Sequence, residues 1–498
     1  MAQEFITGVE TSTYNIDSGD LIFMTETGSI QTGIAFAIGN PVPAEFDLFI
    51  AGDIYAQRLT NFSVNDDLDY NIAISHTSTI FASADVFVFI GFINKDTDLS
   101  ITNEGSVTTG EVFLFARNYD NVDFHNSGTI NAIGSQVDEA VFDTIASPST
   151  VWNISNSGLI QSTADQKIME LSGFITFENT GTVLASIGDA FDFEEGAFTL
   201  INSGDIGADI RAEDDFIFAN SGEYRGDIVA TGDSNLINAG LLIGSVTFGG
   251  RPDAIANEGT IIGVVQFGNG NNTLSNSGLI NMANDTVDFG TGIDTVINTG
   301  TIIGSIDLNI SGDTYRASGD GLVTDTVFGG SGNDVLIGGD KGDAFDGGND
   351  DDVLSGRGGD DTLLGGLGND TLVGGSGADN LQGVSGNNVL NGQDGNDAIV
   401  GGTGDDRLFG GNGDDTLSAG GGADILRGDA GADVFAFDSV TDTGTGSTRD
   451  RILGWEDGAD LIDLSGFGAL EFSASGPVGS GTASVWFQSV SGGAQTML

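Results

Sequence analysis

GGSGNDVLI (Gly329–Ile337) is the first of twelve consecutive nine-residue units that run without insertion to Ala436. GGLGNDTLV (Gly365–Val373), GGSGADNLQ (Gly374–Gln382) and GGNGDDTLS (Gly410–Ser418) are among the clearest copies. Each unit opens on a Gly-rich turn and carries an apolar residue at its eighth place, from Leu336 and Phe345 to Leu426 and Phe435. Its sixth place holds Asp334, Asp343, Asp352, Asp361, Asp370, Asp379, Asn388, Asp397, Asp406, Asp415, Asp424 and Asp433 in turn. A flexible Gly/Asp linker would have no reason to keep an apolar residue at every eighth position. Glycine permits the tight six-residue turn, and the last three residues form a short strand whose middle side chain points inward.

This pattern resembles the RTX (repeats-in-toxin) family of type I-secreted proteins, whose nonapeptide repeat builds a calcium-bound parallel β-roll. The resemblance covers residues 329–436, about a fifth of the chain. It implies Ca2+, several ions, as the cofactor, held by the sixth-position residues.

The physics supports the same reading. Two units make one coil, so Asp334 stacks over Asp352 and Asp370, and Asp343 over Asp361 and Asp379. Carboxylates one strand spacing apart, roughly 4.8 Å, repel unless a cation lies between them. Calcium accepts six to eight hard oxygens in a forgiving geometry, whereas magnesium demands a tight octahedron. The array also has defects: Lys341 and Asp350 replace the fourth-position glycine, Arg357 takes a second position, and Asn388 removes one carboxylate. The pair Asp370/Asn388 is expected to be a weak site.

Composition narrows the partners. A formal charge of −59, from 14 basic and 73 acidic residues among 498, argues against nucleic acid or an anionic membrane as the main partner. Cysteine is absent, so neither disulfide nor thiolate chemistry is available. The start, MAQEFITGVETSTYN, has no basic and apolar leader pattern, and no run of apolar residues is long enough for a membrane span. A secreted, extracellular or cell-surface protein that folds on meeting calcium outside the cell is therefore expected.

Upstream a second repeat appears: ITNEGSV, FHNSGTI, ISNSGLI, FENTGTV, LINSGDI, FANSGEY, LINAGLL, IANEGTI, LSNSGLI and VINTGTI. Its asparagines, Asn103, Asn126, Asn156, Asn179, Asn202, Asn220, Asn238, Asn257, Asn276 and Asn298, are 18 to 30 residues apart. That period predicts a right-handed parallel β-solenoid, with the asparagines as an internal ladder. Fragments ETGSI, IAGDI and HTSTI read as worn copies within residues 1–100. Phe87, Phe113, Phe191 and Phe216, each in an acid-then-aromatic strand, are expected to stack inside.

The reading is thus all-β: an elongated solenoid over 1–303, and a transition over 304–328 with one degenerate unit near Asp325. A calcium β-roll over 329–436 and a C-terminal cap with a type I secretion signal over 437–498 follow. Asp450-Arg451-Ile452, Trp455 and Ile462-Asp463-Leu464-Ser465 resemble the segment after the roll in serralysin-type proteases. The chain has no H-E-x-x-H, however, and only two histidines, His76 and His125. It has no G-x-S-x-G either. The reading favours a non-enzymatic protein for adhesion, surface coating or matrix assembly. Its partners would be the type I secretion apparatus and cell-surface glycans or a second copy of itself. The rival is a polysaccharide lyase, epimerase or glycosidase on a β-helix. A lyase or epimerase groove would need cationic or aromatic residues, and of the basic ones only Arg211 and Arg225 fall within one coil's reach of each other; a glycosidase would need only a carboxylate pair, which acids such as Glu194, Glu195, Glu213, Asp214 and Asp215 could supply.

Overall fold

In this computed structural model, side chains are described for residues 99–108, 121–132, 142, 150–162, 167–185, 191–283, 285–437, 449–456 and 459–465. His76, Phe87, Phe113 and the worn copies of the first hundred residues lie outside that set. The chain divides into two compact units, Met1–Gly263 and Val264–Leu498. Coils 264–328 therefore group with the nonapeptides. Each unit is a β-solenoid of parallel strands, and all the described secondary structure is β.

In the first unit one coil is three strands, as in Phe216–Asn220, Glu223–Arg225 and Ile228–Ala230. Side chains alternate in and out, so Phe216, Phe218 and Asn220 are buried while Ile217 faces outward. Each coil pairs in register with the next: Phe198 with Phe216 and Asn202 with Asn220. The N-x-G signature follows from this stacking. Ser221 N–H and Gly222 N–H both donate to the Asn202 carbonyl of the preceding coil. A Cβ on Gly222 would collide with the Gly204 carbonyl, so only glycine allows so close an approach.

The asparagines form the expected ladder. Each Nδ2 donates to the next Oδ1 at 2.7–2.8 Å, from Asn103 through Asn126, Asn156, Asn179, Asn202, Asn220 and Asn238 to Asn257. Every interior rung both donates and accepts, so this buried column satisfies itself. Phe191 and Phe216 are buried within a run of aromatic contacts that also takes in Phe177, Phe193, Phe198 and Phe218. The inward reading of those two phenylalanines is correct.

In the second unit the nonapeptides stack two to a coil. Leu336 pairs with Leu354, and Leu354 with Leu372, along one sheet. Phe345 pairs with Leu363, and Leu363 with Leu381, along the other. These eighth-position residues are 0–2 % exposed, and each fully buried leucine contributes roughly 2 kcal/mol.

The coil continues beyond the nonapeptides. Arg451–Leu453 pairs with Ile425–Arg427, and Leu461–Asp463 with Val434–Ala436. Gln495–Met497 then runs antiparallel to Arg451–Leu453, which pairs a strand edge otherwise open to other chains.

Candidate metal centre

The sixth-position residues are all buried: Asp334, Asp343, Asp352, Asp361, Asp370, Asp379, Asn388, Asp397, Asp406, Asp415, Asp424 and Asp433 are 0–3 % exposed. They form two columns. In one, the Asp334 N–H donates to Asp352 Oδ1 at 2.8 Å, Asp352 to Asp370 at 2.9 Å, Asp370 to Asn388 at 2.8 Å and Asn388 to Asp406 at 2.7 Å. In the other, Asp343 donates to Asp361 at 2.7 Å, Asp361 to Asp379 and Asp379 to Asp397 at 2.9 Å. Each side chain therefore hangs from the backbone of the coil before it through one oxygen.

The second oxygen has no such anchor. Oδ2 of Asp334, Asp352, Asp361, Asp370, Asp379, Asp397, Asp406, Asp415 and Asp433 is buried without a hydrogen-bond partner. Asp343, which heads its column, has its Oδ2 on the Gly339 N–H at 2.9 Å and leaves Oδ1 unpartnered. A row of buried, unsatisfied carboxylate oxygens is costly unless a proton or cation accompanies it.

Carbonyls surround these oxygens. A Cβ on Gly401 would meet the Ala419 carbonyl at 2.5 Å and Asp406 Oδ2 at 2.6 Å; one on Gly329 would meet Asp334 Oδ2 at 2.5 Å and the Gly347 carbonyl at 2.7 Å. The first glycine of the units that open at Gly329, Gly338, Gly347, Gly392, Gly401 and Gly410 is thus the floor of a small cradle lined by a carboxylate oxygen and the next coil's carbonyl, while Ala419 takes that place in one unit. Asn388 reports on the same spot: its Nδ2 donates to the Gly386 carbonyl at 3.4 Å. Where the amide places a donor, the aspartates place an acceptor. No three acidic or imidazole side chains converge among the described residues, so a cation here would take carbonyl as well as carboxylate oxygens. That is the hard, mixed oxygen set that suits calcium.

Burial is the main cause of raised carboxyl pKa values along both columns. Asp352 is pushed up to about 8, and Asp361, Asp406 and Asp415 to about 7. Asp334, Asp343 and Asp397 reach about 6, while Asp370, Asp379 and Asp433 are also raised. Neighbouring carboxylates add to the effect at Asp352, Asp361 and Asp415; the backbone N–H bonds oppose it.

Sequence reasoning missed three features. The columns extend past the nonapeptides, to Asp294 and Asp313 upstream and to Asp450 and Asp460 downstream. The degenerate unit's Asp325 is exposed, and Asp313 occupies the buried rung. An outer ladder also runs through the fifth positions: Asn369 N–H donates to Asp351 Oδ1, Asn387 to Asn369, and Asp405 to Asn387, at 2.7–2.8 Å. The repeated Asn or Asp just before the sixth position was its signal. Second positions adopt positive φ even without glycine, at Arg357, Val384, Gln393 and Asp429 (70–78°). For β-branched Val384 this is a strained conformation.

A family model for the RTX calcium-binding nonapeptide repeat (four copies) matches residues 323–340, 337–372, 373–408, 400–435 and 409–443. None of the curated proteins matches the chain.

Proposed function

From the premise that this chain carries an array of RTX calcium-binding repeats, we propose that it is an exported, non-enzymatic protein that calcium folds outside the cell. The observation that carries this is the double row of buried carboxylate oxygens facing backbone carbonyls. Bound calcium supplies the positive charge those oxygens need. The chain supplies the rest: Oδ1 atoms hold successive coils together, the first-position glycines of all units but the one at Ala419 leave the cradle open, and the apolar eighth-position columns close the core beneath. Inside the cell, where calcium is scarce, the like-charged columns oppose coiling and keep the chain in an exportable state. At extracellular calcium, in the roughly 10⁻⁴–10⁻³ M range of outside modules, the columns close up.

The role proposed for the folded protein is adhesion, surface coating or matrix assembly. Supporting it, the outward positions of one sheet run Thr295, Thr314, Val335 and Val353 in one row and Ile297, Arg316, Ile337 and Ser355 in the next. In a chain with 73 acids, these rows hold none, which favours contact with a neutral surface, a glycan or another copy. Arg211 and Arg225, the pair a polyuronate groove would use, each form an ion pair with a nearby glutamate, Glu213 and Glu223.

The test is far-UV circular dichroism with light scattering and negative-stain imaging, in EGTA and in millimolar calcium. The proposal expects calcium to add β-structure and to raise its resistance to urea, accompanied by sheets, filaments or glycan binding. A chain equally folded in EGTA at neutral pH, with no calcium uptake, would sink it.

A further inference from the structure

The nonapeptides are not where the carboxylate column begins. The Asn272 N–H donates to Asp294 Oδ1 at 2.6 Å, the Asp294 N–H to Asp313 Oδ1 at 2.7 Å, and the Asp313 N–H to Asp334 Oδ1 at 2.6 Å. Asp294 and Asp313 are 0 % and 1 % exposed, and the Oδ2 of each is buried without a hydrogen-bond partner. None of the described ion pairs involves either residue. Both precede the matched repeats, which start at residue 323.

We infer that Asp294 and Asp313 form a further calcium-binding stretch, occupying the two coils directly before the nonapeptide array, which Asn272 terminates. Asn272 shows what surrounds this position. Its Nδ2 donates to the carbonyls of Gly268 at 3.4 Å, Gly270 at 3.2 Å and, from the next coil, Phe289 at 3.3 Å. Three carbonyl oxygens thus converge on the atom that corresponds to Oδ2 in an aspartate. The turn is the same one coil on. Gly290 and Gly292 have φ of 72° and 142°, Asn309 and Ser311 have 66° and 112°, and Gly330 and Gly332 of the first nonapeptide have 99° and 121°.

An aspartate in this turn aims an anionic oxygen where asparagine aims two N–H groups, so it needs a cation that accepts carboxylate and carbonyl oxygens together. The first-position residues here are Phe289 and Leu308 rather than glycine. A first position without glycine also occurs inside the array, at Ala419, and Asn272 reaches its three carbonyls, that of Phe289 included, with Phe267 at its own first position.

The inference rests on the calcium reading above, and calcium counted per chain by equilibrium dialysis and atomic emission separates the two. Wild type is compared with Asp294→Asn/Asp313→Asn, which keeps both Oδ1 acceptors, and with Asn272→Asp. The expected result is fewer bound ions in the double variant and more in Asn272→Asp, with wild-type circular dichroism in calcium. A wild type that takes up ions while neither variant changes the count overturns the inference and leaves the nonapeptide array standing. A wild type that takes up none overturns both. If the double variant fails to fold, Asn272→Asp decides alone: an unchanged count refutes the upstream stretch.

Discussion

Asp361 offers a sharp test of whether the buried carboxylates burden the metal-free protein. Its Oδ1 accepts the Asp343 N–H and its Oδ2 has no partner. Burial, aided by Asp379, Asp343 and Asp360, raises its pKa from 3.8 to about 7. At about 1.4 kcal/mol per pKa unit, ionising it in the metal-free fold at pH 7.5 costs up to ~4 kcal/mol. Asp361→Asn removes that cost, keeps the Oδ1 acceptor and gives the carbonyls a donor, as Asn388 already does. Asp361→Ala also removes the charge but strands the buried Asp343 N–H, a loss of about 1–3 kcal/mol relative to the asparagine.

Urea titrations of the whole chain, in EGTA and in calcium, read both effects. In EGTA, Asp361→Asn should be about 2–4 kcal/mol more stable than wild type, with Asp361→Ala below it. In calcium the order should reverse, wild type being the most stable, because both variants have lost an oxygen ligand. If Asp361→Asn is destabilised in EGTA as much as Asp361→Ala, the ionised carboxylate is satisfied by something other than a cation, and the reasoning fails.

The same pKa shifts set a pH dependence. Folded-state values of about 6 to 8 exceed the ordinary 3.8, so the metal-free fold is most stable below about pH 4 and loses stability as pH rises through 6 to 8. Urea midpoints in EGTA should therefore fall between pH 4.5 and 8, and calcium should flatten the slope. Gly401→Ala puts a Cβ 2.5 Å from the Ala419 carbonyl and 2.6 Å from Asp406 Oδ2; it should cost about 2 kcal/mol or more in calcium melts and weaken calcium uptake. Asn220→Ala breaks a column in which Asn202 and Asn238 are its neighbours. It should destabilise the first unit by about 2–3 kcal/mol equally with and without calcium, measured by limited proteolysis of that unit.

Much of the fold was legible because its signals are local and repeated. Asp334 through Asp433 recur at half a coil and Asn103 through Asn298 at a whole one, and a coil is the unit that stacks on its neighbours. The rungs outside the strict repeat were not legible, for identifiable reasons. Asp313 sits in LNISGDTYR, where Asn309 and Ser311 adopt the positive φ that glycine advertises elsewhere. Asp450 and Asp460 follow their partners Asp424 and Asp433 by 26 and 27 residues rather than 18. The backbone keeps the rung while the sequence period drifts, so composition betrays the turn only when glycine is what makes it.

The asparagine and aspartate columns are two answers to one constraint. A narrow coil must bury polar groups at its turns, and parallel stacking places identical groups one above another. An amide carries both donor and acceptor, so a column of asparagines closes on itself, as between Asn103 and Asn257. A carboxylate carries only acceptors; one oxygen can be met by the N–H of the preceding coil, but in buried rungs such as Asp352, Asp361 and Asp370 the other is not. Replacing the amide by the acid at a buried rung therefore leaves the architecture intact and makes its stability conditional on an ion or a proton. On that argument the decisive sequence variable is the identity of the buried rung rather than the glycine count. Asn388 inside the nonapeptide array and Asn272, three rungs before Asp334, are the natural places to convert one behaviour into the other.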